Sequence, residues 1–199
     1  MKIAVTADVH LGIRDDHPER YSALENIFEQ IEAENIKTLL IAGDLFDKGF
    51  RNYSEFEKLC AKYPEVQLHI IPGNHDPDIS GKSIIGENIH IYTAPTAMEI
   101  DSTIFLLIPY DENAKMGEKI AEAEKEIEGK QWVLVAHGDY CGGSRELNPL
   151  EPGTYMPLSK KDIKRFNPRT VFLGHIHKAS SQDNLHYVGS PCGLDINET

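Results

Sequence analysis

The chain has 199 residues, with 20 Lys and Arg against 32 Asp and Glu and a formal net charge of −12. Hydrophobic residues make up 40% and charged residues 26%, a balance that supports a sizeable core and excludes wholesale disorder. No apolar run reaches the roughly 18 residues that a membrane span needs. The acidity excludes a protein that coats nucleic acid by bulk charge, but not a local metal site that brings its own positive charge.

In chain order, strands alternate with helices. Lys2–Ala7 reads as a strand buried on both faces and not as a signal peptide. From Pro18 to Asn35, Tyr21, Leu24, Phe28 and Ile31 recur at helical spacing and define one apolar face. Thr38–Ala42 is a second buried strand, Tyr53–Tyr63 a short helix and Val66–Ile71 a third strand. Extended segments follow at Ile89–Tyr92 and Thr103–Ile108, and Glu112–Glu128 is helical in composition. Trp132–Ala136 and Thr170–Leu173 are further buried strands. Between them lie a loop rich in Gly and Pro, Gly138–Pro157, and a short helix from Ser159. His186–Val188 is the last strand. No linker splits the chain, so residues 1–199 are expected to form one α/β domain. Cys60, Cys141 and Cys192 are scattered and odd in number, which points to a reducing cytoplasm and not to a disulfide framework.

The chemistry sits just after the strands. Asp8-Val9-His10, Gly43-Asp44-Leu45-Phe46-Asp47, Gly73-Asn74-His75-Asp76, His137-Gly138-Asp139 and Gly174-His175-Ile176-His177 each follow a predicted strand. Ligands in open α/β sheets bind at the carboxyl ends of strands, so five strands deliver Asp, Asn and His to one rim. Strand alternation would aim Asp8 with His10, and His175 with His177, to the same side. Any single histidine is more often a hydrogen-bonded polar group than a ligand. Five of nine at strand ends make that reading of the whole set a chain of coincidences. Oxygen and nitrogen donors without thiolates suit Mn, Fe or Zn. The chain carries no Gly-x-x-x-x-Gly-Lys-[Ser/Thr] phosphate loop, which argues against nucleotide-driven work.

This ordered set of motifs resembles the calcineurin-like metallophosphoesterase superfamily over Asp8 to His177. The resemblance implies a four-layer α/β/β/α sandwich and two divalent metal ions, Mn first, with Fe, Zn, Ni or Mg as alternatives. Carried over residue by residue, Asp8, His10 and His177 hold one metal, Asn74, His137 and His175 the other, and Asp44 bridges them. His75 corresponds to a non-ligand histidine that donates a proton or stabilises the transition state, with Asp76 orienting it. The nucleophile is then a metal-bound hydroxide acting in line on a phosphate ester.

Asp8-Val9-His10-Leu11-Gly12, Gly43-Asp44-Leu45-Phe46-Asp47 and Tyr187-Val188-Gly189-Ser190-Pro191 are similar to the SbcD-type DNA-repair exonuclease branch. Some relatives in that branch carry histidine at the position of Asp47. Chains of that branch usually continue into a capping domain and a segment that docks an ATPase. Here only the catalytic domain is expected, with a protein partner supplying grip on DNA. A rival similarity is to protein phosphatases, with Lys48 in place of their arginine; Asp76 and Asp139 depart from that pattern. The expected activity is therefore a phosphodiesterase or DNA exonuclease. The alternatives are a phosphomonoesterase or small-molecule phosphodiesterase, and a catalytically silent scaffold. Ser159–Arg165 reads first as a solvated helix with Ser159 as its N-cap and second as a phosphate-backbone contact. Arg14 and His17 are either groove-lining or plain loop residues.

Overall fold

The computed structural model describes residues 2–142 and 153–194. Its elements, in order, are β1 (Ala4–Thr6), α1 (Pro18–Ala33), β2 (Thr38–Ala42), α2 (Ser54–Ala61), β3 (Gln67–Ile71), β4 (Ile89–Ile91), β5 (Thr96–Ile100), β6 (Thr103–Ile108), α3 (Met116–Glu122), α4 (Glu124–Ile127), β7 (Trp132–His137), α5 (Lys160–Phe166), β8 (Thr170–Gly174), β9 (Ser180–Gln182) and β10 (Leu185–Tyr187). They form two sheets. The first is all parallel in the order β1-β2-β3-β4. The second has the order β5-β6-β7-β8-β10-β9, parallel from β6 to β10 with an antiparallel strand at each edge.

Three apolar layers hold these sheets. In β2, Leu39 and Ile41 face α1 and α2 with Leu24, Phe28 and Phe56. Leu40 and Ala42 face the other way, into a middle layer with Phe105, Leu107, Val133 and Val135 of the second sheet. Ile104, Leu106, Leu134 and Ala136 then point outward to α3, α4 and α5, meeting Met116, Ile120, Ile127 and Phe166. The result is the expected four-layer α/β/β/α sandwich. Both faces of each central strand are covered, which is why TLLIA and WVLVAH are continuous apolar runs.

Several elements differ from expectation. The Glu112–Glu128 helix starts late and breaks in two. Asp111 Oδ1 accepts the Asn113 N–H at 2.9 Å in a local turn, Lys115 N–H donates to Glu118 Oε2 at 3.0 Å to start α3, and Ala123 interrupts the helix. Strand β5 adds to the expected set. It pairs with β6 across Asp101-Ser102, both at positive φ, as a primed two-residue hairpin turn requires. The short exposed strand β9 is paired to β10 across a turn at Asp183. Residues 143–152 of the loop expected at 138–157 lie outside the described residues. Ser159 does cap α5: its hydroxyl accepts the Asp162 N–H at 3.2 Å, and Asp162 Oδ2 accepts the Ser159 N–H at 2.9 Å.

Candidate metal centre

The motif residues converge where β1, β2, β3, β7 and β8 end. Backbone hydrogen bonds join these loops: Asp8 N–H donates to the Gly43 carbonyl at 3.1 Å and His10 N–H to the Asp44 carbonyl at 3.0 Å. Strand alternation is not what aims the side chains. Asp8, His10, Asp44 and His175 lie past the strand ends with φ of 53°, 51°, 50° and 88°. Four non-glycine residues in the left-handed region cost about 1–2 kcal/mol each, a strain held by the packed sheets around them. His175 and His177 consequently part company. His175 Nδ1 lies 3.1 Å from Asn74 Oδ1, whereas His177 Nε2 lies 3.2 Å from His10 Nε2.

Donor atoms sharing one ion at about 2.1 Å sit about 3.0–3.4 Å apart, and the geometry here has that grain. Asn74 Oδ1 is 2.9 Å from His137 Nε2. Asp44 Oδ2 is 3.3 Å from His137 Nε2 and 3.7 Å from His10 Nε2, so one oxygen stands between the two histidine sets. Among the described residues, Asp8/His10/His177, Asp8/Asp44/His137 and His10/Asp44/His75 each bring their donor atoms within 4.8 Å. Asp8 and His137 are fully buried, and His10, Asp44 and His175 are no more than 5% exposed. His75, expected as a non-ligand, thus also lies within reach of His10 and Asp44, with its ring edge-on to His10 at 4.7 Å between centroids.

Charge and tautomer test the fit of a cation. His137 Nδ1 lies 2.9 Å from the Ala42 carbonyl, which can only accept, so Nδ1 carries a hydrogen. The other nitrogen, Nε2, faces two oxygens, of Asn74 and Asp44. A neutral imidazole there would set lone pair against lone pair. A cation removes the conflict, and in its absence a proton does. Burial works against a charged His137, but Asp44 and then Asp8 outweigh it and push the imidazole up to about 9. Burial likewise opposes ionisation of Asp44, yet His137, His10 and the His75 N–H hold that carboxyl well below its ordinary range. Asp8 moves the other way, raised by burial and by the neighbouring Asp44 charge against the pull of His137. Acidic oxygens, imidazoles and an amide oxygen without sulfur fit Mn, Fe or Zn.

The surrounding residues extend the expected set. Both oxygens of Asp76 accept backbone N–H groups, from Gly73 at 2.7 Å and Phe46 at 3.0 Å, which ties the β2 and β3 loops together. Its burial, then the Asp44 charge, push this carboxyl up to about 6 despite those bonds. Asp76 is expected to orient His75; a carboxylate oxygen of Asp47, Oδ1, also faces His75 Nδ1, at 3.5 Å. The same oxygen is 3.9 Å from His10 Nδ1, and Oδ2 accepts from Arg20 at 3.1 Å. On the other side, Asp139 Oδ1 is 3.7 Å from His175 Nε2, while Oδ2 accepts the Tyr155 N–H at 2.8 Å. Ser190 Oγ donates to the Asp8 carbonyl at 2.8 Å. Asp47 and Asp139 lie inside motifs that the sequence displays, but nothing in spacing says which histidine a carboxylate will face. Arg20 sits on α1 with no motif to mark it. Arg14 lines a surface groove beside Tyr21, tied to Glu25 at 2.9 Å and Glu55 at 3.7 Å. His17 is 3.2 Å from Glu19 on the exposed surface.

Known proteins show the same arrangement of sequence and fold. Residues 1–179 match the family model described as calcineurin-like phosphoesterase. The chain is 27% identical to exonuclease subunit 1 of Enterobacteria phage T4, covering 98% of this chain and 60% of that protein. It is 26% identical to a subunit of the nuclease SbcCD from Staphylococcus saprophyticus, covering 100% of this chain and 63% of the relative. The chain therefore spans less than two thirds of the length of both relatives. A crystal structure of TT1561 from Thermus thermophilus superposes with a TM-score of 0.60 at 12% identity, covering 95% of this chain and 89% of that one, which is a likeness of fold. No helix among the described residues is long and apolar enough to cross a membrane. The donor-rich rim, the four-layer sandwich and the family match agree: this chain belongs to the calcineurin-like phosphoesterase family.

Proposed function

We propose that the chain hydrolyses phosphodiesters of nucleotides or DNA at a centre of two divalent ions, manganese first among them, in a reducing cytoplasm. Asp8, His10 and His177 would hold one ion, Asn74, His137 and His175 the other, and Asp44 would lie between. When bound, the ions supply Lewis acidity, lowering the pKa of water and offsetting charge on the phosphoryl oxygens. His75 would give a proton to the departing oxygen, and Asp47, facing its Nδ1 at 3.5 Å, would hold the ring for that task. Asp139 would fix His175, and Asp76 would hold the turn that presents Asn74 and His75.

The observation that carries this reading is the position of Asp44 Oδ2, 3.3 Å from His137 and 3.7 Å from His10, at the seam of two buried donor sets. The relatives named as nucleases support a nucleic-acid substrate. The net charge of −12 favours small diesters over duplex DNA unless a protein partner supplies grip.

The test is metal analysis of the chain and of Asp44→Asn, with assays on bis-p-nitrophenyl phosphate, p-nitrophenyl phosphate and single- and double-stranded DNA. Two Mn per chain, faster turnover of the diester than the monoester, and loss of metal and of nearly all turnover in Asp44→Asn are expected. A variant with full metal content and turnover would refute the shared carboxylate.

A further inference from the structure

We infer that Arg20 is a positioning residue for the reaction: it holds the Asp47 carboxylate in the orientation that serves His75. This rests on the phosphodiesterase reading above and extends it to a helix that carries no motif and gives no donor to the centre.

Arg20 is the third residue of α1, after Pro18 and Glu19. A cation in the first turn faces the positive end of the helix dipole, so α1 itself gains nothing from it. The side chain is nonetheless only 12% exposed. The guanidinium shows what holds it there. Nη1 donates to the His10 carbonyl and to Asp47 Oδ2, the latter at 3.1 Å. One nitrogen thus joins the loop after β1 to the loop after β2, beside a His10 backbone with φ of 51°. Among the described residues Asp47 is the one ion-pair partner of Arg20, and Nε is buried without an acceptor.

Asp47 needs such an anchor. Its side chain is 43% exposed, so an unheld carboxylate would turn toward water. Arg20 takes Oδ2, and the Lys48 N–H donates to Oδ1 at 2.9 Å. With both oxygens tied, Oδ1 faces inward, 3.5 Å from His75 Nδ1 and 3.9 Å from His10 Nδ1. An ionised carboxylate only accepts, so it favours a hydrogen on His75 Nδ1 and leaves Nε2 to serve the departing oxygen. The rival role for Arg20 is direct contact with the substrate phosphate. Against it, both hydrogens of Nη1 are engaged, and Arg20 lines neither the groove at His75 nor the one at Arg14.

The experiment compares the Mn-loaded wild type with Arg20→Met, Arg20→Lys, Asp47→Ala and the Arg20→Met/Asp47→Ala double variant. The substrates are bis-p-nitrophenyl phosphate, whose leaving group hardly needs a proton, and diphenyl phosphate, whose leaving group does. Arg20→Met is expected to lower kcat about 10–100-fold on diphenyl phosphate and far less on the nitrophenyl diester, with KM unchanged on both. Arg20→Lys is expected to keep the wild-type ratio of the two rates, because one nitrogen and not a guanidinium fork serves both acceptors. In the Asp47→Ala background, Arg20→Met is expected to change that ratio no further. Nitrogen NMR of the metal-free chains, at a pH where the ring is neutral, is expected to place the His75 hydrogen on Nδ1 in the wild type and Arg20→Lys. In Arg20→Met and Asp47→Ala it is expected to move toward Nε2. An arginine that only supports the fold would lower Tm and slow both diesters alike with the tautomer unmoved, which would overturn the inference. A raised KM with kcat unchanged would overturn it in favour of substrate contact. Should Arg20→Met not fold, loss of the wild-type ratio in Arg20→Lys, or a wild-type tautomer in Asp47→Ala, would overturn it as well. A wild type inactive on both diesters would instead overturn the phosphodiesterase reading, and this inference with it.

Discussion

Gly43→Ala is the sharpest probe of how the centre is built. Gly43 has φ of +89°, and a Cβ added there would sit 2.2 Å from His137 Nδ1 and 2.5 Å from its Cγ. The ring would have to withdraw about 1.2 Å to reach an ordinary contact of 3.4 Å. His137 is fully buried and its Nδ1–H already meets the Ala42 carbonyl at 2.9 Å, so the retreat breaks that bond. The left-handed backbone costs alanine about 1–2 kcal/mol. Overpacking adds about 1–3 kcal/mol and the lost buried hydrogen bond about 1–3 kcal/mol. Gly49 is the control: its φ is +80°, but a Cβ there meets nothing within 4 Å. Gly49→Ala should therefore cost only the backbone term of about 1–2 kcal/mol. Urea unfolding of the metal-free variants, followed through the single and buried Trp132, reads both. In a His137→Ala background the excess cost of Gly43→Ala should vanish, because the clash has lost its partner. Mn affinity should fall in Gly43→Ala and stay unchanged in Gly49→Ala. Equal costs for the two glycine variants would refute the account of His137 wedged against Gly43.

Three further outcomes are expected. His75→Asn should lower turnover about 10²–10⁴-fold while metal content holds, because the backbone N–H that donates to Asp44 Oδ1 at 2.8 Å is untouched; loss of a metal would make His75 a ligand, and an equal loss on good and poor leaving groups would remove the acid role. His69 stacks on His90 across β3 and β4 at 5.1 Å and pairs with the Tyr92 hydroxyl at 2.8 Å; burial, helped by His90, lowers it to about 4. The unfolded chain therefore takes up that proton between about pH 6.5 and 4, and stability falls as pH is lowered through this window; His69→Gln should lessen the drop in Tm from pH 7 to pH 5, and unchanged slopes would show that His69 contributes nothing. Binding of duplex DNA should be weak, with log K falling against log salt at a slope of about −2 to −4. Replacing Lys160, Lys161 and Lys164 with alanine should flatten that slope without touching small-diester turnover, whereas an unaltered slope would leave α5 as a solvated helix. Arg165 is left in place because it bonds Glu124 at 3.0 Å.

Most strands, and the residues at their ends, can be read from the amino-acid order alone. Runs such as TLLIA and TIFLLI are legible because covered faces demand unbroken apolar sequence, and Asp, Asn and His directly after them stand out against that background. The two antiparallel edge strands of the second sheet are not legible. Ser180–Gln182 carries no apolar residue, and β5 depends on a tight turn and a partner strand. The Ser159 cap was legible because the hydrogen bonds of a capping box close within three residues.

Which donor faces which depends on how the sheets and loops pack. The left-handed backbone at Asp8, His10, Asp44 and His175 redirects side chains that strand alternation would have aimed differently. It is tolerated because loops from separate strands hydrogen-bond to one another, as Asp8 does to Gly43 and His10 to Asp44. The pairing of Asp47 with His75, of Asp139 with His175 and of Arg20 with Asp47 joins residues up to 36 positions apart. Such contacts depend on where two sheets pack and how far each loop reaches. Local propensity encodes a strand and its last residue, but the direction of a buried carboxylate is set by every layer packed around it.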